Sequence, residues 1–196
     1  MGRKSKSEIR KPEILEHFYQ ILSEYGYAGA TLEKTAQRMG VHSSLIIHYF
    51  NTKEDMTVAL VDSITEKYEN FAREKVASLS EPEERLQAYL DILLSREWIN
   101  LIDKRVFYTC LELNFRIPRV RKRLHKMYNR FKQLLIDELT ELMHNGVIQA
   151  KDPEKLSVFV MSLLEGFHMY EAFVDESPSF EEISGYLKDT ALDLLK

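Results

Sequence analysis

The residues best suited to chemistry follow Gly40-Val41. His42, Ser43 and Ser44 carry small or planar hydrogen-bonding side chains at the start of the run Leu45 to Phe50. A helix beginning with such residues can bring them close to the edges of stacked bases, where donors and acceptors are read. Other chemistries find less support. Cys110 has no His or Asp at a spacing that suggests a nucleophile's partner, and reads as a buried small hydrophobe. The histidines at 17, 42, 48, 125, 144 and 168 include no i, i+4 pair and have no Cys beside them, so no metal is expected. The chain has no Gly-rich phosphate loop, nucleophile elbow or paired-carboxylate motif, so neither a cofactor nor an enzymatic activity is expected. The block Arg116, Arg119, Arg121, Lys122, Arg123, Lys126, Arg130 and Lys132 permits two readings: a solvated face, or a mouth for an anionic head group such as a carboxylate or the phosphates of an acyl thioester.

Helices must position these groups. Seven Gly and five Pro in 196 residues are too few for a fold with many turns, and one Cys cannot form an internal disulfide. From Pro12, Ile14, Phe18, Ile21 and Tyr25 repeat on one helical face, and Gly26 suits a left-handed stop. Thr31 N-caps a short second helix with Leu32, Ala36 and Met39 inward, closed by Gly40. A third runs from about His42 to Phe50, with Val41, Leu45 and Tyr49 or Phe50 buried. Thr52 to Asp55 is a capping box opening a long fourth helix through Val58, Val61, Ile64, Tyr68 and Phe71. Further segments run from Glu81-Pro82 to near Arg96, from Trp98 to Phe115 with a break near Asn100, from Pro118 to His144, from Pro153 to about Asp175, and from a second capping box at Ser179 to Glu182 onward. The expected fold is all-α with about nine helices.

The net charge of −4 conceals an uneven distribution. Residues 1 to 55 carry net +1, 56 to 115 carry −4, 116 to 132 carry +8 and 133 to 196 carry −9. Residues 1 to 7 read as a flexible basic arm. No apolar run approaches the roughly 18 residues of a membrane span and no secretory signal opens the chain, so a cytoplasmic protein with no membrane partner is expected.

A helix, a tight turn and a second helix with short polar residues at its start describe a helix-turn-helix, whose second helix lies in the major groove. The surrounding residues make this signal specific. Ile14-Leu15, Phe18, Tyr25-Gly26-Tyr27, Thr31-Leu32, Ala36, Met39-Gly40-Val41, His48-Tyr49-Phe50 and Lys53-Glu54 resemble the N-terminal domain of the TetR family of bacterial transcriptional regulators. The resemblance covers about residues 8 to 68. His42 stands where Ser or Thr is usual, and Ile47 where Tyr is frequent. The run Ser44-Leu45-Ile46-Ile47-His48-Tyr49-Phe50 is similar to the family's choline and betaine regulator subgroup, a likeness too short to carry a ligand with it.

The resemblance implies a helix-turn-helix domain over 8–68, with its motif at about 31–50, and a ligand-binding and dimerisation domain over 69–196. It also implies phosphate contacts from Thr31, Tyr49 and Lys53, and base or backbone contacts from Ser43, Ser44, Ile47 and His48. His42 at the helix start, and Arg3 and Lys4 in the arm, join the candidate DNA contacts. Each also has a structural reading: Thr31, Ser43 and Ser44 as helix caps, Lys53 as a solvated first-turn residue, Tyr49 as core, His48 as an intradomain hydrogen-bonding group. Trp98, Phe107, Tyr108, Leu111, Phe115, Tyr128, Phe131, Phe167 and Tyr170 are candidates to line an effector pocket or, as plainly, core residues. Leu163, Gly166, Met169, Tyr186, Leu187 and Leu194 are candidates for a dimer interface between the last two helices and those of a second copy. The expected function is a ligand-responsive regulator, more often a repressor in this family, whose homodimer binds a palindromic double-stranded operator until a small-molecule effector releases it. A helical ligand-binding or adaptor protein with a non-functional helix-turn-helix is the alternative, favoured by His42 and Ile47.

Overall fold

The computed structural model describes residues 6–149, 152–174 and 179–195, without the side chains of 6–9, and these contain ten helices and no strand. They are α1 (Lys6–Gly29), α2 (Leu32–Met39), α3 (Ser43–Tyr49), α4 (Lys53–Val76), α5 (Pro82–Leu93), α6 (Arg96–Ile99), α7 (Lys104–Arg116), α8 (Pro118–His144), α9 (Pro153–Phe173) and α10 (Phe180–Leu195). The all-α expectation holds, and the count rises from nine to ten. The segment expected from Trp98 to Phe115 is two helices, each with its own cap: Ser95 accepts from the Trp98 N–H at 3.0 Å, and Asp103 from the Arg105 N–H at 2.8 Å. The separation falls at the break expected near Asn100, between the end of α6 at Ile99 and the start of α7 at Lys104.

Other boundaries follow local chemistry. Thr31 caps α2, accepting from the Lys34 N–H at 3.1 Å. At α4, Thr52 accepts from the Asp55 N–H while Asp55 accepts from the Thr52 N–H, both at 3.0 Å, and Ser179 and Glu182 repeat this reciprocal box before α10. α1 begins at Lys6, earlier than Pro12 suggested and inside the stretch expected as an arm. Gly26 interrupts α1 at φ 64°, ψ −178°, so its break is a positive-φ extended kink and not the left-handed stop expected of it.

The chain forms two compact units that are interleaved in sequence. The first comprises Met1–Glu66 and Ile102–Met127, the second Lys67–Leu101 and Tyr128–Lys196. In the first, α1 packs against α2, α3 and α7, and its stripe of Ile14, Phe18, Ile21 and Leu22 is almost wholly buried. Each such side chain contributes about 1.5–3 kcal/mol by leaving water. In the second, Leu86, Leu90, Leu139, Leu142, Ile148, Ala191 and Leu195 form one core cluster, and Leu94, Phe167 and Phe180 another.

Candidate nucleic-acid interface

Gly40 fixes the turn between α2 and α3. It adopts φ 67°, ψ 31°, and the Val41 N–H reaches back to the Ala36 carbonyl at 3.0 Å, so the end of α2 is hydrogen-bonded while the chain reverses. α3 then starts from the extended backbone of His42, which caps nothing with its side chain. Ile46 and Phe50 hold α3 to the unit; Ile46 is fully buried, whereas Leu45, expected inward, is half-buried. Anchoring by Ile46 turns the opposite face outward. Ser44, Ile47 and His48 are exposed at i, i+3 and i+4, with Ile47 48% accessible. Ser43 and Tyr49 are half-buried at its edges, and His42 is exposed. The hydroxyls of Ser43 and Ser44 have no hydrogen-bond partner among the described residues, so neither serine acts as a cap. His48 packs edge-on against Tyr49, with ring centroids 5.0 Å apart. Arg3 and Lys4 lie outside the described residues.

Lys53, at the start of α4, is not a free first-turn lysine. Its Nζ donates to the Tyr27 carbonyl at 2.8 Å and lies 4.0 Å from the Tyr27 ring centroid. Burial there draws its pKa below the usual lysine value. Lys34 similarly covers the exposed ring of Tyr25 at 4.1 Å, a pairing that periodicity did not suggest.

The basic block separates into two sets. Arg119 pairs with Asp55 at 2.8 Å and Glu54 at 3.2 Å, and Arg123 with Asp62 at 3.3 Å, so the first turns of α8 are tied to α4. The Arg119 guanidinium, followed by the Thr52 hydrogen bond, holds the Asp55 carboxyl below its ordinary range. Arg116 pairs with Glu112, and Arg130 with the buried Glu69. Arg121, Lys122, Lys126 and Lys132 make no ion pair among the described residues.

The candidates for an effector pocket are divided between the units. In the second, Trp98 lies 4.6 Å from Tyr68 and 6.2 Å from Phe71, and Phe131 lies 6.4 Å from Tyr68. Tyr68 and Phe71 were not among the candidates, although their helical spacing placed them on one face. The Tyr128 hydroxyl donates to Glu165 at 2.7 Å. Burial raises the Glu165 pKa against the opposing effect of that hydrogen bond, and burial also raises that of Tyr128. Glu165 is legible in retrospect as the single acid between Leu156 and Tyr170, directly behind Leu163-Leu164 in α9. Phe167 packs on Phe180 at 5.2 Å in the core, and Tyr170 is half-buried. Phe107, Tyr108, Leu111 and Phe115 belong to the first unit, where Phe115 is 85% accessible. Cys110 is buried, which pushes its thiol up to about 12 and leaves it unreactive at neutral pH.

Two of the dimer candidates, Leu163 and Leu187, pack against the second unit's own core clusters. Gly166, Met169, Tyr186 and Leu194 are exposed. On α9 the exposed set extends to Val158, Phe159 and Phe173, so 158, 162, 166, 169 and 173 trace a single outward stripe.

The family description "Bacterial regulatory proteins, tetR family" matches residues 14–60, and "Tetracyclin repressor-like, C-terminal domain" matches residues 81–196, more than half of the chain. The chain belongs to the TetR family. The N-terminal TetR match brackets every helix from α2 to the start of α4, and the C-terminal one begins just before α5 and runs through α10. Among curated relatives, the HTH-type transcriptional regulator BetI of Stenotrophomonas maltophilia is 27% identical over 110 residues, 56% of either chain. The chain spans about half the length of the curated relatives it matches. Among solved structures, a TetR transcription regulator from Haloarcula marismortui superposes with a TM-score of 0.79 at 22% identity, covering 96% of this chain and 98% of its own. A transcriptional regulator from Saccharomonospora viridis, solved in complex with choline, superposes with a TM-score of 0.79 at 16% identity, covering 93% and 95%. At these identities the two structures establish the TetR fold alone.

Proposed function

We propose that this TetR-family chain is a ligand-responsive transcriptional regulator of the cytoplasm and not an enzyme, a repressor whose homodimer binds a palindromic operator through α3. The observation that carries the reading is the outward face of α3: Ser44, Ile47 and His48 exposed on one side, Ile46 and Phe50 locked into the core on the other. A helix anchored in this way presents polar and apolar groups to the major groove at little further entropic cost, and Ile47 suits a thymine methyl. Phosphate contacts from Thr31, Tyr49 and Lys53 would set the register. A gel shift with duplex DNA from upstream of the protein's own gene, at two salt concentrations, tests this. A salt-sensitive complex is expected; no complex at either concentration rejects the reading in favour of an adaptor that no longer binds DNA.

Two copies would pair through the exposed stripe of α9 and through Tyr186 and Leu194 of α10, whose apolar side chains have no cover in the protomer. The effector would bind beside the rings of Tyr68, Trp98 and Phe131, where the Glu165–Tyr128 pair adds a half-buried acid. Aromatic faces and a carboxylate suit an organic cation. Choline is the first compound to test, by whether it raises the melting temperature and weakens the DNA complex, since linkage requires both effects together.

A further inference from the structure

The compact unit that carries the helix-turn-helix owes its positive charge to a distant part of the chain. Residues 1–66 alone carry 8 Lys and Arg against 9 Asp and Glu, a net −1. With Ile102–Met127 included, the unit carries 16 against 11, a net +5, while the other unit carries 11 against 20, a net −9. The change comes from the end of α7 and the beginning of α8.

Within that stretch the cations divide by their position around the helix. At 100° per residue, Arg119 and Arg123 fall within about 40° of one another and face the carboxylates of Glu54, Asp55 and Asp62 on α4. Val120, Leu124 and Met127 form the buried stripe. Arg121, Lys122, His125 and Lys126 lie on the remaining arc, and Arg121, Lys122 and Lys126 have no ion-pair partner among the described residues. Glu112, Glu54, Asp55 and Asp62 are already occupied by Arg116, Arg119 and Arg123. This arc adjoins the candidate DNA surface through Lys126 and Lys122, which lie within about 20° and 60° of Arg119 around the helix, and Arg119 is held 2.8 Å from Asp55 in the first turn of α4, beside Lys53.

We propose that the exposed arc at the start of α8 is a second phosphate-binding surface, with Arg121, Lys122 and Lys126 contacting the DNA backbone outside the base pairs read by α3. This rests on the DNA-binding function proposed above and extends its footprint. The Arg119–Asp55 and Arg123–Asp62 pairs position the arc, and the free cations bind. Being long and exposed, they carry no base specificity, so their contribution is to affinity and register.

Each phosphate neutralised contributes about −0.9 to the slope of log K against log salt on duplex DNA. The test measures that slope by fluorescence anisotropy over a sodium chloride series, for the full chain and for the triple variant Arg121→Gln, Lys122→Gln, Lys126→Gln. The probes are the upstream duplex and a mixed-sequence duplex of the same length. The expected result is a slope shallower by about 2 or more in the variant, with affinity falling at least ten-fold and by a similar factor on both duplexes. A hydroxyl-radical footprint on the upstream duplex should lose its outermost protected phosphates while the centre stays protected. Changing the same three residues to each other's type, Lys for Arg and Arg for Lys, should restore the wild-type slope. An unchanged slope in the Gln variant, with wild-type DNA binding intact, overturns this inference and leaves the proposed function standing. If the wild-type chain binds neither duplex, the function fails and this surface with it. Loss of binding to phosphatidylserine vesicles without any change on DNA would assign the arc to a lipid surface and likewise overturn the proposal.

Discussion

Ser43 and Ser44 carry hydroxyls with no partner among the described residues, whereas Lys53 is engaged with Tyr27 before any DNA is present. This difference determines what their removal should do. Ser44→Ala deletes a group at the reading face and is expected to change the order of preference among operator variants, with each altered base contact worth about 1–3 kcal/mol, while leaving the salt slope as it was. Lys53→Ala removes a cation and also the shorter of two hydrogen bonds to the Tyr27 carbonyl, which keeps only the Ala30 N–H at 3.3 Å. It should weaken every sequence alike and cost about 1 kcal/mol of stability, readable by denaturant titration. If Lys53→Ala instead altered sequence preference and Ser44→Ala the salt slope, the division of roles would be reversed. The glycines make a second residue-scale comparison. Neither Gly26 nor Gly40 has any atom within 4 Å of where a Cβ would stand, so substitution costs backbone strain alone. Gly40 is left-handed and Gly40→Ala should cost about 1 kcal/mol. Gly26, at ψ −178°, lies in a region that is almost exclusive to glycine, so Gly26→Ala should cost more, up to about 3 kcal/mol. The positions of both glycines were legible from spacing; the conformation at Gly26 was not, because ψ depends on how Tyr27 to Ala30 must rejoin α2.

Asp55 shows how one side chain organises two elements. It closes the capping box of α4 with Thr52 and accepts the Arg119 guanidinium from α8. Its folded pKa lies below 3.8, so its stabilisation is fully present above that value and is lost as pH falls through the lowered folded pKa. Asp55→Ala is therefore expected to destabilise the protein by about 1 kcal/mol at pH 7, with the gap from wild type closing on acidification below 3.8. A gap that persists unchanged to about pH 2 would show that the carboxylate charge is not what stabilises this junction. The element scale is also where sequence reading was strongest. Both capping boxes, the Thr31 cap and the Gly40 stop rest on neighbours three to five residues apart, within reach of a local pattern. The pairing of Arg119 and Arg123 with α4 spans more than sixty positions and depends on α7 and α8 folding back onto the first unit, which no periodicity encodes. The same long-range packing explains why eight cations read as one ambiguous block divide into paired and free sets.

Assembly is decided by surfaces rather than by single contacts, and α9 offers a clean test. Along its outward stripe Gly166 is exposed, and a Cβ added there would have nothing within 4 Å beyond its own stretch of helix, so a larger side chain starts into open space. In a helix interior, leaving glycine behind gains up to about 1 kcal/mol, so Gly166→Leu should fold at least as stably as the wild type. If two α9 helices cross near Gly166, however, the added side chain enters the crossing and separates them. Sedimentation velocity at micromolar concentration should then find the wild type as a dimer and Gly166→Leu as a monomer whose protomer melts no lower. Dissociation carries a further consequence for DNA. A palindrome is read by two α3 helices one helical turn, roughly 34–36 Å, apart, and the monomer would keep only one set of phosphate contacts. The salt slope should fall to about half, and binding to one half-site should remain. A Gly166→Leu protein that stays dimeric would move the interface away from this stretch of α9, towards Tyr186 and Leu194 on α10. A wild type that is monomeric at that concentration would reject pairing through either helix.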